Sequence, residues 1–366
     1  MPFAKAAALL EGFTHTQVSE SSAQRHTQAI GLAYEAVQLA DVERIERDWP
    51  EMPEEPAKLV VSADGAMVPL VAGEWTEVKT VVVSEVCDSG RMDATAGVRT
   101  HNHSYFSRLA DAETFQRLSL GELTRRRVET AQQLAAVNDG AEWIQGFLDY
   151  QCPEAVRILD FAHAAERICQ LGDVVLGEGS AEGECWRAEQ LHQLKHEGAA
   201  ALMPKLRSFA AEHVAVPVVT ENLAYLEKRL SQMQYPVFQA AGWPIGSGVV
   251  ESGNKLVVEA RLKGAGMHWA RASVNPMLSL RNAVCNDRWE EAWQQSAAHI
   301  RRVGVRRRPV HLKRKPSAEV VLTAPRATLP PAEAVVPIKP ASIHPWRRTN
   351  YATKARLAQA DPNART

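Results

Sequence analysis

The chain has 366 residues, 45% of them hydrophobic, with 42 Lys or Arg against 43 Asp or Glu, enough apolar side chain to exclude a wholly disordered protein. The near-zero net charge conceals an asymmetry, because residues 301–366 hold 15 basic and 3 acidic side chains and leave 27 basic and 40 acidic for the body. A basic tail behind an acidic body points to a polyanionic partner. No stretch is long and apolar enough for a bilayer and the first residues lack the layout of a signal peptide, so the expected location is cytoplasmic, with no membrane partner. Five widely spaced cysteines without a Cys-x-x-Cys pair argue against a disulfide framework and against structural zinc.

Residues 3–47 read as helix with a break at Gly12-Phe13-Thr14, and the second helix is entered through Val18-Ser19-Glu20-Ser21-Ser22, where Ser supplies an N-cap. Gln24, Arg25, His26 and Gln28 fall on one exposed face. Residues 1–49 are therefore either a helix-turn-helix for DNA or a helical hairpin packed on the next domain. Pro50, Pro53 and Pro56 make a linker of residues 50–57.

From Lys58 the pattern turns to β-branched runs at 59–61, 67–71 and 78–83, read as three antiparallel strands with Asp64-Gly65 in the first tight connection. A helical stretch over 111–133 follows, then a buried strand over 134–137 ending at Asn138-Asp139-Gly140, a helix over 142–150 and a strand over 156–159. That order predicts an α/β fold with a ribonuclease H-like mixed sheet, the first aspartate on its first strand and the second at the end of its fourth. Residues 58–162 would form the first part of this core, 163–240 a helical insertion, 241–300 a glutamate-bearing helix and the end of the core, and 301–366 a largely disordered basic tail.

Three carboxylates stand in sharply marked settings: Asp64 in Val-Ser-Ala-Asp-Gly, Asp139 in Val-Asn-Asp-Gly-Ala-Glu-Trp, and Glu251 in Gly-Ser-Gly-Val-Val-Glu-Ser-Gly-Asn. Two strand-end aspartates and a helical glutamate can hold a pair of hard divalent cations, Mg²⁺ or Mn²⁺, for phosphodiester chemistry. Taken singly, Asp-Gly is also a common turn pair. Glycines 246 and 248 allow close backbone approach, and a helix starting there puts Glu251 and Asn254 one turn apart on one face. Arg261, Lys263, Arg271 and Arg281 follow and could line a phosphate path, with Trp269 to stack on an unpaired base or to pack in a core. Arg306, Arg307 and Arg308, with Lys313, Arg314 and Lys315, lack apolar interleaving and suit backbone binding to DNA.

Several segments resemble bacterial insertion-sequence transposases of the Kra type, related to the Mutator group. They are Asp64-Gly65-Ala66-Met67-Val68, Asp139 to Ile144, Ile158 to Ala164, Pro244 to Ser252 and Arg261 to Trp269. The resemblance runs over about residues 1–295 and implies a catalytic triad of Asp64, Asp139 and Glu251. It implies DNA cleavage by water at an element's end and transfer of the freed 3′-hydroxyl to target DNA, by a homo-oligomer on DNA. Asp160-Phe161-Ala162-His163 matches a Cys/Asp-x-x-His motif of Mutator-related enzymes, which makes Asp160 and His163 supporting residues, as Asn254 is; Asp160 is also the rival to Asp139 as second metal ligand. Family members usually begin further upstream, so a shortened N-terminus is expected, and the leading alternative is an inactive or domesticated DNA-binding derivative. A purely hydrolytic nuclease of the same fold is the other rival.

Overall fold

The computed structural model describes residues 2–52, 55–87 and 98–306. Within them the chain is a mixed α/β structure around a five-stranded sheet. Its strands are β1 (Lys58–Pro69), β2 (Trp75–Val86), β3 (Thr100–Arg108), β4 (Gln133–Asn138) and β5 (Val156–Leu159), in the order β3-β2-β1-β4-β5. The β1–β2 and β2–β3 pairs are antiparallel, and the β1–β4 and β4–β5 pairs parallel. Helices α1 (Phe3–Thr14) and α2 (Glu20–Arg47) precede the sheet; α3 (Ala112–Arg125) and α4 (Glu142–Gln151) alternate with its later strands. Beyond it come α5 (Phe161–Leu176), α6 (Ala181–Glu197), α7 (Ala199–Phe209), α8 (Pro217–Lys228) and α9 (Tyr235–Ala240). The described chain closes with α10 (Gly248–Gly253), a π-helical segment Asn254–Glu259, α11 (Ala260–Leu262), α12 (Arg271–Cys285) and α13 (Trp289–Arg306).

Strand boundaries depart from expectation next to the first carboxylate. Asp64-Gly65 makes no turn: the run at 59–61 and residues 67–69 of the next belong to one strand, which pairs Asp64 with Thr80 and Gly65 with Lys79 on β2. Continuous pairing along β2 overrides the local turn preference of Asp-Gly. A Cβ at Gly65 would lie 2.2 Å from Glu77 Oε1, so a larger residue there would have to displace the Glu77 side chain. The third antiparallel strand is instead β3, whose polar sequence Thr-His-Asn-His-Ser-Tyr-Phe-Ser-Arg conceals it. Pro53 of the expected linker and residues 307–366 lie outside the described residues.

Side chains alternate across β1 with the period of a strand. Leu59, Val61 and Ala63 join Val81, Val83, Phe106 and Ala136 under α3 and α4. On the opposite face the cover is in two parts: Val60, Val137 and Ile158 pack under α5–α9, while Ala66, Val68 and Val78 pack under the π-helical segment and α12. Asp64 shares the parity of this second face. It therefore stands at the seam between the two clusters.

β3 is an edge strand, and its outward backbone groups are taken up by asparagines of α12. Asn275 bonds Leu109 N and O at 2.8 and 3.0 Å, Asn282 bonds Ser107 N and O at 3.1 Å each, and Asn286 bonds Tyr105 N and O at 2.8 and 2.9 Å. Each amide donates once and accepts once here, so these side chains complete the edge as a further strand would. α2, capped by Ser19, lies along α12, α13 and α3, and Arg108 at the end of β3 ties it down through Glu35 (3.1 Å) and Gln38 (2.7 Å). Asn282→Ala would leave the buried Ser107 N–H and C=O unsatisfied, at about 1–3 kcal/mol per group. The expected loss is about 2–4 kcal/mol in urea unfolding, whereas the half-exposed Asn286→Ala should lose less, because water can replace its amide.

Candidate functional site

The parallel β1–β4 ladder runs from Lys58↔Gln133 to Val61↔Ala136, and continuing its register by three residues sets Asp64 opposite Asp139. The ladder is extended by a side chain: Asn138 Oδ1 accepts from Ala63 N, one residue short of both carboxylates. Past that point β1 runs on to Pro69 paired with β2 on one side, while β4 leads through α4 to β5 on the other. Adjacent parallel strands whose connections leave in opposite directions open a crevice at their carboxyl ends, the usual ligand position in such sheets.

Asp64 is partly buried there, with Oδ1 accepting from Gly65 N at 2.7 Å and Oδ2 from Asn254 Nδ2 at 2.8 Å. Burial pushes its carboxyl above the usual aspartate range and the charge of Asp139 adds to that; the Gly65 and Asn254 hydrogen bonds and positive charge on His163 oppose it. Asn254 opens the π-helical segment, a local widening that moves the following side chains out of α-helical phase. Arg281 donates to the carbonyls of Leu256 and Val257 inside it. Asn254 is 5% exposed and its Oδ1 has no partner, so a second oxygen acceptor stands buried beside Asp64. Two carboxylates and an amide oxygen form a hard-donor set of the kind Mg²⁺ and Mn²⁺ prefer. Among the described residues no group of three or more His, Cys, Asp or Glu side chains gathers closely enough to hold a metal ion.

Asp139 Oδ1 accepts from Ala141 N at 2.8 Å, and its other carboxylate oxygen makes no hydrogen bond among the described residues. Asp160 is used differently. It is 2% exposed and caps α5, with Oδ1 accepting from Ala162 N (2.7 Å) and His163 N (3.1 Å) and Oδ2 from Ser247 N. Three backbone donors bind its two oxygens, so Asp160 staples the 244–247 loop to α5. His163, on the first turn of α5, is half exposed, 4.0 Å from Glu166 and near enough to Asp64 to act on its charge. Glu251 lies exposed on α10, one turn before Asn254, with no hydrogen bond or ion pair among the described residues. The structure thus brings together Asp64, Asp139, Asn254 and His163, and leaves Glu251 at the rim.

Two residues expected on a DNA path are packed instead. Arg261 is 7% exposed, its guanidinium held 4.8 Å from the Phe3 ring and 4.7 Å from the Trp269 ring. Trp269 is 8% exposed and its Nε1 donates to Leu262 O at 3.1 Å, so its ring is a core wall and has no face free for a base. Lys263 is exposed and paired with Glu259 at 2.8 Å; Arg271 is exposed at the start of α12. Trp289 and Trp293 stack on one another at the surface, with centroids 6.2 Å apart. The side chain of Arg306 and the residues Arg307, Arg308, Lys313, Arg314 and Lys315 lie outside the described residues.

Compared with known proteins, the chain matches no family model, and no curated protein matches it. No helix among the described residues is long and apolar enough to cross a membrane.

Because the folded Asp64 carboxyl holds its proton more tightly than the unfolded one, the folded state binds more protons from the ordinary value of 3.8 up to the raised one. Stability therefore falls as pH rises through that window, and the deficit persists above it. In divalent-free buffer, Asp64→Asn is expected to match or exceed wild-type stability at pH 7, with the advantage lost below about pH 4. Denaturant titrations at both pH values check this; an equal loss at each would contradict it.

Proposed function

We propose that the protein is a DDE-type transposase, cutting and joining DNA with Asp64, Asp139 and Glu251 as its acidic residues. The observation that carries this reading is the β1–β4 register, whose continuation three residues past its last pair, Val61 with Ala136, sets Asp64 level with Asp139 at the switch point of the sheet. The strand order, with β2 antiparallel between β1 and β3, is compatible with the expected ribonuclease H-like sheet and supports the reading. So does the unpaired Asn254 oxygen beside Asp64.

Asp64, Asp139 and Asn254 would hold Mg²⁺ or Mn²⁺ at the seam, and the bound cations supply activation of the attacking oxygen and stabilisation of the leaving one. The residues themselves act by position. Asn254 orients the Asp64 carboxylate, Asp160 fixes the loop before α10, and His163 stands near enough to Asp64 to act on its charge. Glu251, at the rim one turn before Asn254, stands where a phosphodiester entering the crevice meets it. DNA is the partner, through the exposed Arg271 and Lys263 and the basic residues from Arg306 onwards. A DNA-binding derivative without cleavage activity is the second reading, favoured by the absence of a three-acid metal group among the described residues.

Strand transfer on DNA carrying the ends of the element that encodes the chain should require Mg²⁺ or Mn²⁺. Asp64→Asn, Asp139→Asn and Glu251→Gln should each slow it by more than about a hundredfold, since partners that merely orient metal ligands already cost ten- to a hundredfold. Duplex binding without metal should survive. Residual strand transfer near the wild-type rate in any of the three would remove that residue from the assignment, and its absence in the wild type would favour the second reading.

Removing residues 305–366 should weaken binding to element ends and to unrelated duplexes alike and flatten the salt dependence, because Lys and Arg contacts to phosphate release counterions without reading bases. Titrations at several salt concentrations would show an unchanged slope if the segment took no part.

A further inference from the structure

The segment between β5 and the 244–247 loop grips the backbone of the second aspartate. Tyr225, on α8, donates from its hydroxyl to the carbonyl oxygen of Asp139. Arg229, directly after α8, donates from Nε at 3.1 Å and from Nη2 to the next carbonyl, that of Gly140. Two consecutive carbonyls at the end of β4 are thus held by side chains more than eighty residues further along the chain.

Both side chains are packed and bonded on several sides. Arg229 is 4% exposed, its guanidinium 3.9 Å from the centroid of the Tyr225 ring, and the Arg167 guanidinium from α5 lies 4.7 Å from the same ring. The remaining donors of Arg229 reach Tyr225 O at 3.3 Å and Glu142 at 3.2 Å. Burial raises the Tyr225 hydroxyl above its ordinary range, so it stays a donor at neutral pH. The backbone fits against the pair only as glycine: Gly140 has φ +80°, and a Cβ there would lie 2.6 Å from Arg229 Nε and 2.7 Å from the Tyr225 hydroxyl. Holding the Asp139 carbonyl restrains its ψ and with it the direction of its Cα–Cβ bond, from which the carboxylate projects.

We propose that Tyr225 and Arg229 are positioning residues that hold Asp139 level with Asp64, so that the α5–α9 helices are a working part of the carboxylate crevice and not only its cover. The claim rests on the metal-dependent reading of that crevice. Without the clamp, Asp139 is restrained by the end of β4 and by its own hydrogen bond to Ala141 N. That amide reports directly on the aspartate.

The test uses the full chain and compares Tyr225→Phe, which removes one hydroxyl and keeps the ring, and Arg229→Lys, which keeps the charge and loses the fork. Lys228→Met, altering an exposed ion pair to Glu142, is the control. Hydrogen exchange in peptides covering 139–142 is read without metal, and Mn²⁺ binding by electron paramagnetic resonance. The expected result is faster exchange confined to 139–142 and Mn²⁺ binding weakened about tenfold or more in both variants, with Lys228→Met as wild type. Wild-type exchange and wild-type Mn²⁺ affinity in both variants would overturn the clamp, as would faster exchange spread over the whole chain. If the wild type binds no Mn²⁺ while the variants still loosen 139–142, the clamp on Asp139 stands and the metal reading of the crevice falls.

Discussion

The parallel pairing of β1 with β4 is the constraint on which the rest of the structure depends. It joins residues whose spacing in the chain equals the spacing between Asp64 and Asp139, so one register brings the two acids level. A slip by a single residue would turn every side chain of one strand to the opposite face and separate the acids. Burial of Leu59 and Val61 beneath α3 and α4, and of Val60 on the other side, opposes such a slip. The Asn138 bond to Ala63 carries the register past the last backbone pair.

A carboxylate survives in this position because the cover over its face is divided. Had the α5–α9 cluster and the α12 cluster met over β1, Asp64 would be sealed in hydrocarbon, where an unpaired charge is costly. The seam leaves it partly wet, with Asn254 and Gly65 as donors, and its raised proton affinity measures what desolvation remains. Electrostatic tension of this kind is common where a site is built to bind a positive group, since the cation relieves the repulsion between neighbouring acids.

Side-chain amides do much of the work of the main chain in this protein. Asn138 continues a ladder, Asn254 holds an acid, and Asn275, Asn282 and Asn286 close the β3 edge. An amide pairs with backbone on both its donor and acceptor sides without bringing a charge into the interior. Asp160 serves the main chain in a similar way: at the start of α5 its carboxylate accepts from three backbone donors and caps the helix.

Local chemistry made a good part of this legible in sequence. The Ser19 cap, the α4 and β5 segments, the strand ending at Asn138 and the Gly-rich entry to α10 follow from propensities and short-range hydrogen bonds, and they lie close to where the pattern put them. The charge division between body and tail is a property of composition alone. Long-range pairing decided the rest. Asp64-Gly65 runs through a strand because β2 supplies partners on that side; β3 exists because α12 completes its edge, although its own residues are polar. Whether Asp139 or Asp160 faces Asp64, that Arg261 and Trp269 serve the core, and that Tyr225 and Arg229 hold the second aspartate all depend on contacts between segments far apart in the chain. No window of sequence contains both partners of such a contact, and only the closed fold sets them against each other.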